Sequence, residues 1–213
     1  RASDVARDAE IGVLVSIGGG SATGLAKAVA RNTGLPIIAV PTTYAGSEMT
    51  PIWGETDQGD KKTGRDPRVL PRIVVYDPGL TMSMPADLTA ASGMNALAHA
   101  VESLYAPDVS PLSSQIAEEA IRVLAHGLPD TVARLDDVEA RTKTLRGAWL
   151  AGWALGSTTM GLHHKLAHVL GGSAGHFMNS LLECEQVLLA HIEPQHPCEG
   201  SGSAWVAIHP WVR

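Results

Sequence analysis

An apolar run that ends in three consecutive glycines and continues into a helix-forming stretch constrains the fold of this chain more than any other feature. Residues 13–17 have the composition of a buried strand, residues 18–20 are all glycine, and residues 21–30 favour a helix. Glycine lets the backbone pass close to a pyrophosphate, and the first amides of a helix direct unpaired N–H groups at an anion. We therefore predict a phosphate-binding turn. Because the G-x-G-x-x-G spacing is missing, a purely structural strand-to-helix turn is the alternative.

The composition excludes several classes of function. The chain has 213 residues, of which 45% are hydrophobic, and a formal net charge of -6. Without a clustered basic face, such a chain does not suit a polyanion, so we expect no nucleic-acid partner. We find no signal-like apolar core and no run of about 20 apolar residues, and we predict a soluble cytoplasmic protein without a membrane partner. Two late cysteines predict no disulfide framework.

Three β-branched runs predict the strands of a mostly parallel sheet covered by helices. They are residues 13–17, 36–40 and 72–76. Residues 1–10 are expected to form the helix that leads into the first strand. Between the second and third runs, residues 50–63 contain two glycines and several charges, which indicates a β-hairpin that projects from the sheet.

After residue 80, the β-branched runs give way to Ala, Leu, Glu and Arg at helical spacing. We predict helices over residues 86–106, 112–127 and 138–172. The Gly-Leu-Pro sequence at 127–129 is expected to end the second helix. Beyond residue 175 the periodicity is lost, and the last ten residues show no clear pattern.

Two pairs of polar residues are each spaced four apart, so each pair lies on one side of its predicted helix. Asn95 and His99 form the first pair, and His164 and His168 form the second. If the two helices face each other, the pairs create a polar pocket. Hydrogen-bonded interior groups are the structural alternative, although burying several histidines without a function is costly.

The order of four motifs resembles the iron-containing alcohol dehydrogenase family, and within it the maleylacetate reductases. The motifs are GGGSATGLAK at 18–27, VPTTYAGSEMTP at 40–51, SGMNALAHAVE at 92–102 and LHHKLAHVLGG at 162–172. The resemblance extends from about residue 10 to residue 174. Several spaced motifs in the same order argue against a chance similarity.

The resemblance implies a dehydroquinate synthase-like architecture, as in iron-type alcohol dehydrogenases, with the active site in a cleft between two domains. Residues 1–80 are expected to form a partial dinucleotide-binding α/β domain with a Rossmann-like parallel sheet. Residues 81–175 are expected to form an all-α catalytic domain. Residues 176–213 are expected to be a divergent tail, explained either by an altered reading frame or by true divergence. Because relatives are longer at both ends, we expect strands before residue 1 and final helices to be missing.

The family also implies where the cofactor, NADH or NADPH, binds. Its pyrophosphate is held by the glycine turn, which corresponds here to Gly19, Gly20 and Ser21. The choice between the two cofactors stays open, because the strand end that would meet the ribose 2′ position lies before residue 1.

A second cofactor loop of the family follows the next strand, and its hydroxyls and amides meet the ribose and phosphates. The corresponding residues are Thr42, Thr43 and Ser47. A cofactor-contacting lysine corresponds to Lys61, with Lys62 as the other possible register. Ordinary turn residues and solvated lysines are the structural alternative.

The metal ligands of the family are only partly present. Metal-dependent members have Asp, His and His at the positions of Asn95, His99 and His164, and a fourth ligand where this chain has Met178. A neutral amide oxygen is a poorer ligand for a transition metal than a carboxylate. Gly24 also stands where metal-dependent members usually have Asp. We therefore predict no tightly bound metal.

The reaction implied by the resemblance is NAD(P)H-dependent reduction of maleylacetate to 3-oxoadipate, in the catabolism of aromatic compounds. His168, and secondarily His164, are assigned as proton donor or oxyanion partner, while Asn95 and His99 orient the substrate. The substrate is a small dicarboxylate, for which Lys165 is a candidate cationic contact. A homodimer is expected from the relatives. The alternatives are a metal-dependent alcohol dehydrogenase of the same family and an inactive nucleotide-binding remnant.

Overall fold

The described part of the chain contains six strands and five α-helices. The computed structural model describes residues 2–57, 60–159 and 204–208. The strands are β1 (Leu14–Gly18), β2 (Ile37–Pro41), β3 (Ile52–Asp57), β4 (Asp60–Arg65), β5 (Ile73–Tyr76) and β6 (Trp205–Ile208). The helices are α1 (Ala2–Asp8), α2 (Gly20–Thr33), α3 (Ala86–Leu104), α4 (Pro111–Ala133) and α5 (Val138–Ser157).

The sheet has the strand order β1-β2-β5-β6, and its first three strands run parallel. In this register Leu14 of β1 is opposite Ile37 of β2. The helix α2 connects these two strands and packs Ala26 and Ala30 against Ile37. A parallel sheet followed by three long helices confirms the predicted α/β part and the all-α part after it.

The face of the sheet that does not contact α2 is apolar, and it is exposed at β1. The register aligns Val15 and Ile17 of β1 with Ile38 and Val40 of β2. Val15 and Ile17 are 58% and 64% exposed, and Val206 of β6 is 56% exposed. Parallel sheets usually bury both faces under helices. The described residues therefore leave an apolar face of the sheet in contact with solvent.

The predicted hairpin is present, because β3 and β4 pair in antiparallel fashion. It packs against α2 through Arg31, whose guanidinium carbon lies 3.8 Å from the centroid of the Trp53 ring. The same guanidinium pairs with Glu55 of β3 at 2.7 Å. A cation–π contact and an ion pair thus join α2 to the hairpin.

The three long helices form the main core together with β5. Their contacts bury small and branched side chains, among them Ala96 of α3, Leu124 of α4 and Ala148 of α5. Helix α3 agrees with the prediction for residues 86–106. None of the described helices combines the length and the apolar character that a membrane crossing requires.

The second long helix does not end near Gly127 as predicted, but continues through Pro129 to Ala133. Gly127 instead marks a close approach to α5, because a Cβ atom there would lie 3.0 Å from Oγ1 of Thr144. Oγ1 of Thr131 donates to the carbonyl of Gly127 at 2.8 Å and lies 2.8 Å from Oγ1 of Thr144. Gly127 therefore lets α4 pack closely against α5. Pro129 lies near the end of α4, where only about one more helical turn follows.

The third long helix ends at Ser157, so the prediction of a helix over 138–172 was wrong at its C-terminal side. Thr158 is extended, with φ of -126° and ψ of 166°. Its carbonyl accepts a hydrogen bond from Arg65 of β4 at 2.7 Å. A contact from a distant strand stabilises this helix end, which helical periodicity cannot reveal. Residues 160–172 lie outside the described residues.

The strand β6 was not predicted from the sequence. It pairs antiparallel with β5, and Trp205 is opposite Tyr76. The two rings stack with their centroids 5.4 Å apart. Four residues are too few for an alternating pattern to stand out, and the partner strand is distant in the sequence. Part of residues 176–213 therefore extends the sheet formed by residues 1–80.

Candidate functional site

The glycine turn ends β1 and leaves the N-terminus of α2 without a side-chain cap. Gly18 has a φ of 142°, and a Cβ atom there would lie 2.9 Å from Cβ of Ala22. Gly19 is the N-cap residue and makes no side-chain hydrogen bond to the helix. The amides of Gly20 and Ser21 precede the first intrahelical hydrogen bonds. The positive end of the helix dipole therefore lies beside the exposed Ser21, as in an anion site.

The loop after β2 lies directly against this turn. The backbone N–H of Thr42 donates to the carbonyl of Gly18 at 3.0 Å. A Cβ atom on Gly19 would lie 3.0 Å from Cγ2 and 3.2 Å from Oγ1 of Thr43. The structure thus brings together the two segments for which the sequence predicts cofactor contacts. A side chain at position 19 would push the two segments apart.

Two helices hold the same loop from its other side. The buried N–H of Tyr44 donates to Oγ of Ser92 on α3 at 2.9 Å. A Cβ atom on Gly46 would lie 3.2 Å from Nδ1 of His99 on α3 and 3.3 Å from Cα of Gly152 on α5. The loop over residues 42–50 is therefore packed between the glycine turn and the helical part.

The predicted polar pair on α3 lies at this contact. His99 is only 4% exposed, and its imidazole is next to Gly46 of the loop. Asn95 lies one helical turn earlier and is half-buried. The structure therefore brings one of the four predicted catalytic residues against the loop that is predicted to contact the cofactor, with a second one turn away on the same helix.

The remaining predicted positions divide into two groups. Ser47 lies in the second loop, in a short 3-10 turn, and Lys61 lies on β4 of the hairpin. His164, Lys165 and His168 lie outside the described residues. Their assigned roles stay predictions.

A buried lysine that the sequence reasoning missed joins α2 to this loop. Nζ of Lys27 donates to the carbonyl oxygens of Ser47, Thr50 and Ile52 at 2.6, 2.8 and 2.7 Å. Its side chain is 1% exposed. Burial lowers the pKa of Lys27 to about 7, and the negative charge of Glu48 opposes this shift. The helix that carries the glycine turn is thus bonded directly to the segment that carries Ser47.

Glu48 is the buried carboxyl group of this cluster. The hydroxyl of Tyr76 donates to Oε1 of Glu48 at 3.0 Å. Burial raises the pKa of Glu48 and raises that of Tyr76 well above its ordinary value. A sequence signal for the cluster existed, because Lys27 falls at helical spacing with Thr23 and Ala30 on the buried face of α2. A charged residue in a stripe of small side chains marks such a buried contact.

The described part of the chain does not assemble a metal site by itself. Within residues 2–57, 60–159 and 204–208, no group of three or more His, Cys, Asp or Glu could hold a metal ion. Helix α3 supplies one imidazole, His99, and one amide, Asn95. Because an amide oxygen binds transition metals less well than a carboxylate, these donors alone do not fit a tightly bound ion.

Comparison with known proteins identifies the family. Residues 1–78 match the model for iron-containing alcohol dehydrogenase. Residues 89–192 match the model for the C-terminal part of the Fe-containing alcohol dehydrogenase family. The chain belongs to the iron-containing alcohol dehydrogenase family. The second match also extends past residue 175, beyond the last of the four family motifs, which ends at residue 172.

Individual relatives match at higher identity but are longer than this chain. Maleylacetate reductase 2 of Cupriavidus pinatubonensis is 52% identical over 228 residues, which cover 100% of this chain and 63% of that protein. The crystal structure of maleylacetate reductase from Agrobacterium tumefaciens has a TM-score of 0.80 at 48% identity, covering 82% of this chain and 50% of that one. Sulfoacetaldehyde reductase from Bifidobacterium kashiwanohense, in complex with NAD+, has a TM-score of 0.75 at 29% identity, covering 82% and 52%. The chain thus spans between 50% and 63% of these three relatives.

Replacing Ser92 with alanine removes the acceptor for the buried N–H of Tyr44. We expect the free energy of unfolding to fall by about 1–3 kcal/mol, because a buried amide is left without its partner. Ser157→Ala is the matched control, since its exposed hydroxyl donates to the carbonyl of Trp153 within the same helix. The control should change stability by less than about 0.5 kcal/mol. Urea denaturation measures both variants, and equal stabilities would contradict the anchoring role of Ser92.

Proposed function

We propose that this protein is a maleylacetate reductase that uses NADH or NADPH. The reaction consumes one hydride and one proton and converts the carbon–carbon double bond of maleylacetate into the single bond of 3-oxoadipate. Relatives that are 52% and 55% identical to the chain carry this name. The observation that carries the proposal is the contact between an uncapped helix N-terminus at Gly19 and a hydroxyl-bearing loop that packs on His99. We assign the dinucleotide to the side of that loop that faces the glycine turn, and the small dicarboxylate to the side that faces α3.

The geometry of the turn supports binding of the cofactor pyrophosphate. The amides of Gly20 and Ser21 lie at the start of α2, where they would donate hydrogen bonds to a phosphate oxygen of the bound cofactor. Thr42 and Thr43 offer hydroxyls from the adjacent loop. Because Gly19 has no side chain, Thr43 packs directly against the turn, and its hydroxyl lies beside the amides that start α2. A related structure at 29% identity holds NAD+, which supports the same cofactor class here.

The chemistry beyond hydride transfer is assigned to four polar side chains that the sequence motifs supply. The bound nicotinamide supplies the hydride. The substrate then carries an enolate-like negative charge, which must be stabilised and protonated. Imidazoles suit both tasks because their ordinary pKa lies near the working pH. We assign this role to His168, with His164 as the second candidate, and we assign substrate orientation to Asn95 and His99.

A test of the cofactor site compares two glycines of the same segment. Gly19→Ala places a Cβ atom against Thr43, and we expect it to weaken NADH binding by about tenfold or more. Gly24→Ala is the control, because a Cβ atom there meets nothing within 4 Å. It should leave the affinity unchanged and stabilise α2 by about 0.5–1 kcal/mol. Fluorescence titration gives the two affinities, and thermal unfolding reports whether each variant is folded.

The proton-transfer assignment is tested by His168→Ala. We expect turnover of maleylacetate to fall by about two to four orders of magnitude, with NADH affinity nearly unchanged. His126→Gln on α4 is the control and should keep the parent rate. A parent-like rate in the His168 variant would remove this residue from the chemistry. If the parent itself binds NADH but reduces no maleylacetate, a nucleotide-binding remnant is the better description.

We further propose that the reaction needs no tightly bound metal. The support is the donor chemistry at Asn95, which replaces the carboxylate expected in metal-dependent relatives. Metal analysis of the purified protein should find substoichiometric iron and zinc, and treatment with EDTA should leave the rate of maleylacetate reduction unchanged. Stoichiometric iron together with metal-dependent oxidation of simple alcohols would instead favour an alcohol dehydrogenase.

A further inference from the structure

The ammonium group of Lys27 is surrounded by oxygens of one short segment. Besides the carbonyls of Ser47, Thr50 and Ile52, Oγ1 of Thr50 lies 3.2 Å from Nζ. An ammonium has three N–H donors, so all of them are used by residues 47–52. All hydrogen bonds of the Lys27 side chain therefore act to hold this segment in place.

The segment has little regular structure of its own. It contains a single 3-10 turn, Ser47–Met49, and Thr50 is already extended. From Ile52 onward the strand pairing with β4 holds the backbone, and just before it the carbonyl of Pro51 accepts from the N–H of Asp66 at 2.9 Å. The bonds from Lys27 therefore restrict a part of the chain that lies outside the α-helices and β-strands, although α5 packs against it at Met49.

We propose that Lys27 is a positioning residue for the cofactor: its ammonium fixes residues 47–52 against α2 and so sets the distance between Ser47 and the N-terminus of the helix. This inference rests on the proposed function, in which the helix N-terminus binds the pyrophosphate and Ser47 contacts the cofactor. The two groups lie on separate segments of the chain. Lys27 connects them because it belongs to the helix and bonds to the loop.

A purely structural role explains the choice of lysine less well. The buried face of α2 at Thr23, Ala26 and Ala30 carries small side chains that pack without a charge. Burying an ammonium costs desolvation free energy that an apolar side chain would avoid. Helix α2 is also joined to the hairpin by Arg31, one turn further along, through Glu55 and Trp53. What Lys27 adds is a bond to the cofactor loop.

The experiment compares Lys27→Met with Arg31→Gln in the same chain. Lys27→Met keeps an unbranched side chain one heavy atom shorter and removes every donor. Arg31→Gln removes an ion pair between α2 and β3 and leaves residues 47–52 untouched. We expect Lys27→Met to raise the Kd and the KM for NADH about 10- to 100-fold, while kcat at saturating NADH changes by less than about threefold. Arg31→Gln should keep the parent Kd.

A second pair of variants perturbs the same contact from the loop side. Thr50→Val removes, at nearly constant volume, the hydroxyl near Nζ together with its bonds to the carbonyl of Ser47 and from the N–H of Ile52, and Thr50→Ser retains all three. We expect weaker NADH binding for Thr50→Val and parent-like binding for Thr50→Ser. This pair keeps the inference testable even if Lys27→Met does not fold.

Amide hydrogen exchange separates this inference from the proposed function, because it needs no cofactor. Exchange in residues 43–52 should be faster in Lys27→Met and Thr50→Val than in the parent, with α2 unchanged. Unchanged exchange in that segment, or an equal loss of NADH affinity in Arg31→Gln, overturns the positioning role. A parent protein that binds no NADH overturns the proposed function instead, and the exchange result then still decides whether Lys27 fixes the loop.

Discussion

The close contact between the glycine turn and the loop after β2 is the constraint on which the rest of the site depends. A hydrogen bond from Thr42 to the carbonyl of Gly18 and the fit of Gly19 against Thr43 keep the two segments together. The turn follows β1 and the loop follows β2. Both begin at the same edge of the sheet, because the carboxyl ends of adjacent parallel strands lie side by side. The uncapped amides of α2 and the hydroxyls of the loop can therefore act on one ligand.

The helices α3 and α5 contact the loop through small residues. The loop contacts α3 through the hydrogen bond from the N–H of Tyr44 to Oγ of Ser92, and it contacts α5 where Gly46 packs against Gly152. Protein interiors are densely packed, so a loop can approach two helices this closely only where side chains are small. His99 comes to lie at the loop as a consequence of that packing. The family motifs that contain these residues thus include residues that pack the loop as well as predicted site residues.

Local patterns predicted much of the fold, and their failures have physical causes. The strand runs, the hairpin and α3 were predicted because their periodicity and turn residues are local. The predicted end of α4 near Gly127 and the predicted length of α5 were wrong, since a glycine was needed for contact with Thr144 and a distant Arg65 stabilises the end of α5. The strand β6 was not predicted because β5, the strand with which it pairs among the described residues, is distant in the sequence.

The sequence by itself determined the glycine turn, the order of strands and helices before β6, the polar pair on α3 and the family to which the chain belongs. These follow from backbone preferences and from side-chain spacing within a single segment. Tertiary structure alone decided that Thr43 fills the space beside Gly19, that His99 lies under the second loop, and that Lys27 bonds to two carbonyls of that loop and one at the start of β3. Those contacts join segments 20 or more residues apart, and only the packing of helices on the sheet fixes which groups meet.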